Sequence, residues 1–383
     1  MVKAPIPFFR PSISDEEITE VTKCLRSGWL TTGPISSAFE VEFSDALGGG
    51  VKTLAVNSAT AALHLALDAL GIGPGDEVIV PTLTFTATAE VVRYQGARPI
   101  FVDIDPNTLC LSLEATEAAI TPRTKAIMPV HFAGRPCNLT ALRKISDSNG
   151  LKIIDDAAHA FPTYHARQNI GNCLADATAF SFYANKTMTT GEGGMLATPH
   201  PEVAARARTM RLHGIDRDVF NRFTEPNASW IYDVVAPGYK YNMTDIAAAM
   251  GQVQLRRTND FFVARNRLAA NYDLAFAELP LILPPHAAEG DSHSWHLYII
   301  QLMDGCPLNR DELISHLKEN GVGYSVHYRP LHQMTYWAKF VGGQDFPAAD
   351  AYFERCLTLP LFMDMSDDEQ ARVIQVVRKA LVQ

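Results

Sequence analysis

Short apolar runs alternate with helix-like segments through the first half of the chain, and this alternation restricts the fold more than any other feature. The runs are Thr53–Asn57, Glu77–Val80, Pro99–Asp103, Lys125–Met128 and Leu151–Asp155. Segments with helical spacing of apolar residues, such as AALHLALDAL before Gly71, separate most of them. Strands that alternate with helices predict an α/β fold with a parallel or mostly parallel sheet.

The pattern changes near Thr244, and this change predicts a second domain. A long helical stretch rich in Ala, Gln and Arg begins there, followed by a strand-like run at Trp295–Ile300 and a helix near Asp311–Asn320. A chain of 383 residues also exceeds the usual size of one domain. We predict a large α/β domain over residues 1–250 and a smaller α+β domain over residues 251–383, bridged by the long helix.

The N-terminal segment predicts a helix and no targeting signal. Ser14-Asp-Glu-Glu17 has the pattern of a capping box that opens a helix, which Ser27-Gly28 would end. The preceding MVKAPIPFFRPSIS contains prolines and lacks the length and cleavage pattern of a signal peptide. No stretch resembles a membrane span. Six scattered cysteines without a CxxC pair indicate reduced thiols, so we expect a cytoplasmic protein.

The charge balance excludes two classes of partner. Lysine and arginine total 33, aspartate and glutamate total 42, and the net charge is −9 with no long basic run. Such a field repels nucleic acid and anionic membranes. An anionic substrate would need a local basic pocket.

Two strand ends carry side chains that could bind a ligand. Ser58-Ala59-Thr60 follows the first strand and opens a helix, where a phosphate could bind, although for this segment taken alone an ordinary helix N-cap is the favoured explanation. Asp155 and Asp156 end a later strand, where ligands of α/β sheets collect. A carboxylate there could contact a cofactor or cap the next helix.

Lys186 lies in a segment whose composition would lower the pKa of an amine. It follows the aromatic run Phe180–Tyr183 and precedes the small residues of TMTTGEGG. Nearby apolar surface disfavours the charged ammonium and favours the neutral amine that attacks a carbonyl. A lysine taken alone is usually a solvated surface charge.

Seven blocks of the sequence, taken in order, resemble the DegT/DnrJ/EryC1/StrS family of sugar aminotransferases. They are NSATAALHLALDALGIGPGDEVIVPTLTFTATAE, TKAIMPVHFAGRPCNL, IIDDAAHA, FSFYANKTMTTGEGGML, RLHG, PGYKYNMTDIAAAMGQVQL and VHYRPLH. The resemblance runs from about Pro7 to the C-terminal region. It implies a fold-type I enzyme dependent on pyridoxal phosphate (PLP), with a large α/β/α domain and a smaller C-terminal domain.

The resemblance also assigns a role to each candidate residue. Lys186 matches the Schiff-base lysine, and Asp156 matches the carboxylate that keeps the pyridine nitrogen of the cofactor protonated. Phe85 would stack on the cofactor ring, and His159 would cover its other face or touch the ring oxygen. The phosphate would be bound by Ser58, Ala59, Thr60 and Ser181. The family commonly has Gly in place of Ala59, so a slightly different turn is expected there.

Asn242, in the block GYKYNM, matches a residue that reaches the phosphate from a neighbouring subunit. The resemblance therefore implies a homodimer with shared active sites, whereas the simpler explanation is a loop asparagine that bonds its own turn. Many family members have Arg in this block. The KYN form is similar to the branch that acts on 4-keto sugars, which includes the enzyme that makes UDP-4-amino-4-deoxy-L-arabinose.

Residues of GWLTTGP and VHYRPLH match segments near the nucleotide-sugar pocket of the family. They are Trp29, Thr31, Thr32, His327, Tyr328 and His332. The two histidines could indicate a metal, but no third ligand is evident, and we predict no metal site.

The implied reaction transfers an amino group, with glutamate as donor, through PLP and its pyridoxamine form to the keto carbon of a nucleotide-linked sugar. The KYN block favours C4. A PLP-dependent sugar dehydratase of the same fold has His in place of the lysine, so Lys186 disfavours it. A noncatalytic cofactor-binding regulator is disfavoured because both catalytic residues are present and no DNA-binding segment is attached. The nucleotide and the sugar stay open.

Overall fold

The computed structural model describes residues 4–216 and 232–382. Its first strands are β1 (Lys52–Val56), β2 (Glu77–Pro81), β3 (Arg98–Val102), β4 (Thr124–Ile127), β5 (Lys152–Asp156), β6 (Tyr164–His165), β7 (Gln168–Asn169), β8 (Ala177–Ser181) and β9 (Gly194–Thr198). All except the β6–β7 hairpin belong to a seven-stranded sheet in the order β1-β9-β8-β5-β4-β2-β3. Only β9 is antiparallel to its neighbours.

Helices cover this sheet and connect its strands. In the N-terminal part they are α1 (Asp15–Ser27), α2 (Pro34–Ala46), α3 (Ala59–Ala69), α4 (Ala87–Tyr94), α5 (Leu113–Ala118), α6 (Leu139–Asn149) and α7 (Pro201–Met210). Helix α1 begins at the predicted capping box of Ser14 and Glu17 and ends at Gly28, whose φ of 77° suits glycine. The Oγ of Ser58 caps α3 by accepting a hydrogen bond from the amide of Ala61.

The sheet is buried on both faces, as the continuous apolar runs of its strands require. In β2, Val78 and Val80 belong to the apolar cluster on one face, and Ile79 belongs to the cluster on the other. This alternation follows from the two-residue period of a strand. Because both faces are covered by protein, a ligand reaches the sheet only at the carboxyl ends of its strands.

The C-terminal part forms a second, smaller sheet with its own apolar cluster. Its strands are β10 (Leu281–Ile282), β11 (Tyr298–Leu302) and β12 (Cys356–Leu359). The remaining helices are α8 (Asp245–Arg256), α9 (Thr258–Phe276), α10 (Arg310–Glu319), α11 (Ala338–Val341), α12 (Pro347–Arg355) and α13 (Asp367–Leu381). The chain start also joins this part, because Ile6 pairs with Val322 and lies in the same apolar cluster.

The mostly parallel sheet predicted from the sequence is confirmed, and its five predicted strands are β1 to β5 within one or two residues. One strand prediction was too long: β11 begins at Tyr298, whereas the apolar run begins at Trp295. Trp295 has a φ of 51°, which no strand residue adopts. Among the residues described, no helix has the length and apolar character needed to cross a membrane. The predicted division near residue 250 stays a prediction.

Candidate active site

A cavity of about 400 Å³ lies at the carboxyl ends of the central strands. Most segments that line it follow β1, β2, β4, β5 and β8; one precedes β9, and one comes from the C-terminal part. Its lining residues are Ser58, Ala59, Thr60, Leu63, Thr84, Phe85, Ala87, Val130, Asp156, Ala158, His159, Ser181, Tyr183, Asn185, Lys186, Glu192, Gly193, His327 and Tyr328. Segments up to 270 residues apart in sequence therefore meet in one cavity.

Lys186 is the amine in this cavity. It lies five residues after the end of β8, and its backbone N–H donates to the carbonyl of Tyr183 at 2.9 Å, which closes a tight turn. Burial lowers the pKa of Lys186 to about 8, against the opposing effect of the nearby Asp156 carboxylate. About a tenth of the amine is consequently neutral and nucleophilic at pH 7, far more than for a lysine with the usual pKa.

Asp156 is the last residue of β5 and is buried. The Thr88 Oγ1 donates to its Oδ2 at 2.7 Å, and the amide of Ala158 donates to its Oδ1 at 3.1 Å. Thr84 lies 2.8 Å from Thr88, hydroxyl to hydroxyl, and completes a short chain of hydrogen bonds. Burial raises the pKa of Asp156 in spite of these donors. A cationic partner in the cavity would offset that cost.

The start of α3 provides an anion-binding surface on the same cavity. The first intrahelical hydrogen bond runs from Ala62 to the Ser58 carbonyl, so the amides of Ala59 and Thr60 precede it. Gly194 packs against this turn so closely that an added Cβ would lie 2.5 Å from the Ser58 carbonyl carbon. Ser181 lies on the cavity wall as well. Free amides and the helix dipole at such a turn favour a phosphate.

His159 and Tyr328 form a hydrogen-bonded pair on the cavity wall. The Tyr328 hydroxyl lies 3.1 Å from His159 Nε2, and His159 Nδ1 accepts from the amide of Ala133 at 3.3 Å. Behind His159 stands His296, with ring centroids 4.4 Å apart. Burial lowers the pKa of His159 well below its usual value, and the positive charge of Lys186 adds to this effect.

The cavity mouth is aromatic. Phe85 is 57% exposed and Tyr183 is 46% exposed, although both line the cavity. The ring of Phe85 lies 6.0 Å from that of Tyr328, centroid to centroid. Exposed aromatic rings at the entrance of a cavity provide stacking surface for a planar ligand.

The predicted substrate residues divide between the cavity and other places. His327 and Tyr328 line the cavity, and burial lowers the pKa of His327 to about 4. His332 does not line it: its Nδ1 lies 2.7 Å from Thr82 Oγ1, and its Nε2 lies 2.8 Å from Asp350 Oδ1. Both ring nitrogens of His332 therefore have partners, and the contact with Thr82 joins the two parts of the chain.

Trp29, Thr31, Thr32 and Asn242 also lie outside the cavity lining, in a group that we call the Asn242 cluster. The Asn242 side-chain amide donates to Thr32 Oγ1 at 2.7 Å, and the Trp29 indole donates to the Thr32 carbonyl at 3.2 Å. The Thr31 carbonyl accepts from the amide of Asp245 at 3.3 Å. Asn242 also pairs with Val56 at the end of β1, next to the Ser58 turn.

Some cavity residues were not predicted from the sequence. Thr84 and Thr88 support Asp156 through hydrogen bonds, and Asn185 and Glu192 line the wall. The run PTLTFTATAE places four threonines around Phe85 just after a buried strand, which was the available signal for Thr84 and Thr88. No sequence pattern indicated which of these hydroxyls would face a carboxylate 68 residues away.

Comparison with known proteins identifies the family. The model of the DegT/DnrJ/EryC1/StrS aminotransferase family matches residues 11–378. The chain belongs to this family. The resemblance inferred from the sequence is confirmed by that match, and the chain is an aminotransferase of fold type I that works with PLP and its pyridoxamine form.

Relatives of the same length support this assignment. The spore coat polysaccharide biosynthesis protein SpsC of Bacillus subtilis is 46% identical over 377 residues, which are 97% of this chain and 96% of SpsC. Spr1654 of Streptococcus pneumoniae, described as a candidate sugar aminotransferase, is 37% identical in its pyridoxamine-phosphate form, with a TM-score of 0.91 over 98% of each chain. PseC of Helicobacter pylori, an aminotransferase of pseudoaminic acid biosynthesis, is 26% identical, with a TM-score of 0.89 over 98% and 99% of the two chains.

Proposed function

We propose that this aminotransferase transfers an amino group from glutamate to the keto carbon, C4, of a nucleotide-linked sugar. The observation that carries the proposal is the meeting of Lys186 and Asp156 in one cavity with a helix N-terminus. The sugar is supported by the similarity to Spr1654, described as a candidate sugar aminotransferase, and to SpsC, a polysaccharide biosynthesis protein. The nucleotide linkage, the donor and C4 rest on the resemblance of the KYN block and of the loops around His327.

The residues of the cavity fit PLP. Asp156, buried and with a raised pKa, suits a protonated pyridine nitrogen, and the amides of Ala59 and Thr60 suit a phosphate. Ser58 and Ser181 are the hydroxyls beside that phosphate position, and Phe85 supplies an aromatic face. When bound, the cofactor supplies an aldehyde that takes up the amino group and a ring that withdraws electrons from the reacting carbon.

Lys186 performs the proton transfers in this proposal. Its amine, whose pKa is lowered to about 8 by burial, would hold the cofactor through the aldehyde carbon. During turnover the Nζ of Lys186 would remove a proton from the carbon that carries the amino group of the donor, and it would deliver a proton in the opposite half-reaction. Asp156 holds its charge in place through Thr88 and Ala158, so that it need not reorganise during either half-reaction.

The Asn242 cluster is our candidate for the contribution of a second subunit. Its residues lie next to the Ser58 turn through the Val56–Asn242 pairing, yet they do not line the cavity of their own chain. A homodimer with shared sites would place Asn242 at the phosphate of the partner and Trp29, Thr31 and Thr32 near the partner's sugar pocket. His327 and Tyr328 would contact the sugar from the same chain, and His332 would position them.

We place the reaction in the cytoplasm. All six cysteines are free thiols, and four of them are buried. Such a set is typical of a reducing compartment.

The absorption spectrum of the purified protein tests the reaction. Glutamate should remove the long-wavelength band of the PLP enzyme, and one 4-keto nucleotide sugar from a panel should restore it. A glutamate response with no response to any sugar would contradict the proposed acceptor. Absence of a cofactor band after PLP is supplied would contradict the site itself.

The variant Lys186→Ala tests the catalytic lysine. Because the lysine both binds the cofactor and moves the proton, amination should fall by more than about a thousandfold while the far-ultraviolet circular dichroism is unchanged. Lys125→Ala is the matched control, since Lys125 is an exposed lysine on β4. Wild-type turnover in Lys186→Ala would rule the assignment out.

A further inference from the structure

The two ring nitrogens of His159 have different partners, and one of these partners determines where the ring carries its proton. The amide of Ala133 points at Nδ1 from 3.3 Å. A backbone amide is always a donor, so Nδ1 must offer a lone pair. A neutral His159 therefore carries its hydrogen on Nε2.

The Ala133 amide is itself fixed by the fold. Ala133 lies in a buried turn, and its carbonyl accepts a hydrogen bond from the amide of Leu297 at 3.2 Å. The ring of His296 packs behind His159 at 4.4 Å. Rotation of the His159 ring by 180° would place carbon atoms opposite Ala133 and Tyr328 and would lose both hydrogen bonds.

The hydrogen on Nε2 then determines the role of Tyr328. Its hydroxyl lies 3.1 Å from Nε2 and must accept this hydrogen bond. The opposite arrangement would put hydrogen on Nδ1 and direct it against the Ala133 amide. In the described part of the chain the Tyr328 hydroxyl has no second hydrogen-bond partner. Its own hydrogen is left for a group inside the cavity.

We infer that His159 is a positioning residue that makes Tyr328 a hydrogen-bond donor to an oxygen atom of the ligand in this cavity. Both nitrogens of His159 are occupied, so this histidine covers the ligand with its ring face and does not itself bond a ligand oxygen. The inference uses the PLP site of the proposed function but does not depend on the identity of the sugar.

The arrangement persists over the working pH range. Protonation of His159 would place a second N–H, on Nδ1, against the N–H of Ala133. The groups that face the ring are Lys186, His327 and His296, which are positively charged or neutral and do not stabilise a charged His159. Burial also lowers the pKa of His159 well below its usual value and raises that of the Tyr328 hydroxyl. Tyr328 therefore stays a neutral donor.

The acceptor is an oxygen with a free lone pair, and two sources could supply it. One is the ring oxygen of the cofactor, and the other is a sugar oxygen. A donor stabilises the anionic form of a ring oxygen, so loss of the donor should raise the pH at which the bound cofactor changes between its two absorbing forms. Loss of a donor to the sugar should instead weaken sugar binding alone.

The test compares Tyr328→Phe, His159→Leu and His159→Gln as PLP-loaded enzymes. We expect Tyr328→Phe and His159→Leu to raise the spectral midpoint by about one pH unit, or to weaken sugar affinity roughly tenfold. The double variant should show no more change than either single variant, because both act through one hydrogen bond. His159→Gln should stay within about twofold of wild type, since its carboxamide offers an acceptor and a donor.

The control is Tyr336→Phe, which removes the hydroxyl of an exposed tyrosine outside the cavity and should change neither quantity. Additive effects in the double variant would overturn the inference, as would unchanged midpoint and sugar affinity in Tyr328→Phe. A neutron crystal structure of the PLP enzyme provides a second test and should show hydrogen on His159 Nε2. Hydrogen on Nδ1 instead would contradict the inference. An enzyme that shows the cofactor band and these shifts but aminates no 4-keto sugar would contradict only the proposed function.

Discussion

The cavity and the Asn242 cluster lie close together around the Ser58 turn, yet they differ in the burial of their side chains and in how these are held by the rest of the chain. In the cavity, Asp156 and His159 are buried and held by partners within the chain, and Lys186 has a lowered pKa. In the cluster, Thr31 is exposed, and among the described residues the Asn242 side chain hydrogen-bonds only the nearby Thr32 and Lys240. The comparison shows that one chain organises the groups around Lys186 and Asp156, whereas the Asn242 cluster is held by hydrogen bonds among its own neighbours; its use by a second subunit belongs to the proposed function.

Among the substitutions that test this comparison, Asp156→Asn is expected to have the largest effect. The change removes the carboxylate that would pair with the pyridine nitrogen in the proposed site. Breaking a buried charge pair costs about 3–5 kcal/mol, so kcat should fall more than about a hundredfold. Thr88→Val removes one hydrogen bond to the same carboxylate and should cost roughly tenfold. Steady-state kinetics with saturating PLP measures both, and equal losses in the two variants would contradict the graded roles.

Mixing of subunits tests whether the Asn242 cluster contributes to the cavity of its own chain or to that of a partner. Asn242→Ala should weaken PLP binding by about tenfold or more, because a phosphate loses a hydrogen bond. If the sites are shared, each mixed dimer of one Lys186→Ala chain and one Asn242→Ala chain holds one intact site. An equal mixture of the two chains should therefore regain about one quarter of the wild-type sites at limiting PLP. No recovery after verified subunit exchange would place Asn242 in the site of its own chain.

The pH dependence of cofactor capture is the smallest expected effect. The neutral Lys186 amine attacks the aldehyde, so the rate at which the apoenzyme binds PLP should rise with pH and level off above about 8, the pKa of Lys186. Asp156 raises that pKa, so Asp156→Asn should move the midpoint to lower pH. Stopped-flow absorbance measures the rate. A midpoint near the usual lysine value of 10.5 would show that burial does not act on this amine.

Local sequence patterns predicted helices and strands well where the whole pattern lies within one helix or strand. The capping box at Ser14 opens α1, Gly28 ends it, and the apolar runs form β1 to β5. The antiparallel strand β9 was not predicted, because its GMLAT segment is short and its direction depends on its partners β1 and β8. Direction in a sheet is a property of neighbouring strands and has no pattern in a single one.

The sequence by itself determined the α/β class, the family, and the choice of Lys186 and Asp156, because each rests on an ordered run of neighbouring residues. Only the tertiary structure decided what each polar atom of the site contacts. The partners Thr88 and Asp156 are 68 residues apart, and His159 and Tyr328 are 169 residues apart. The proton position on His159 depends on the Ala133 amide. Hydrogen bonds are short and directional, so their pairing depends on the packed chain and leaves no trace in the local sequence.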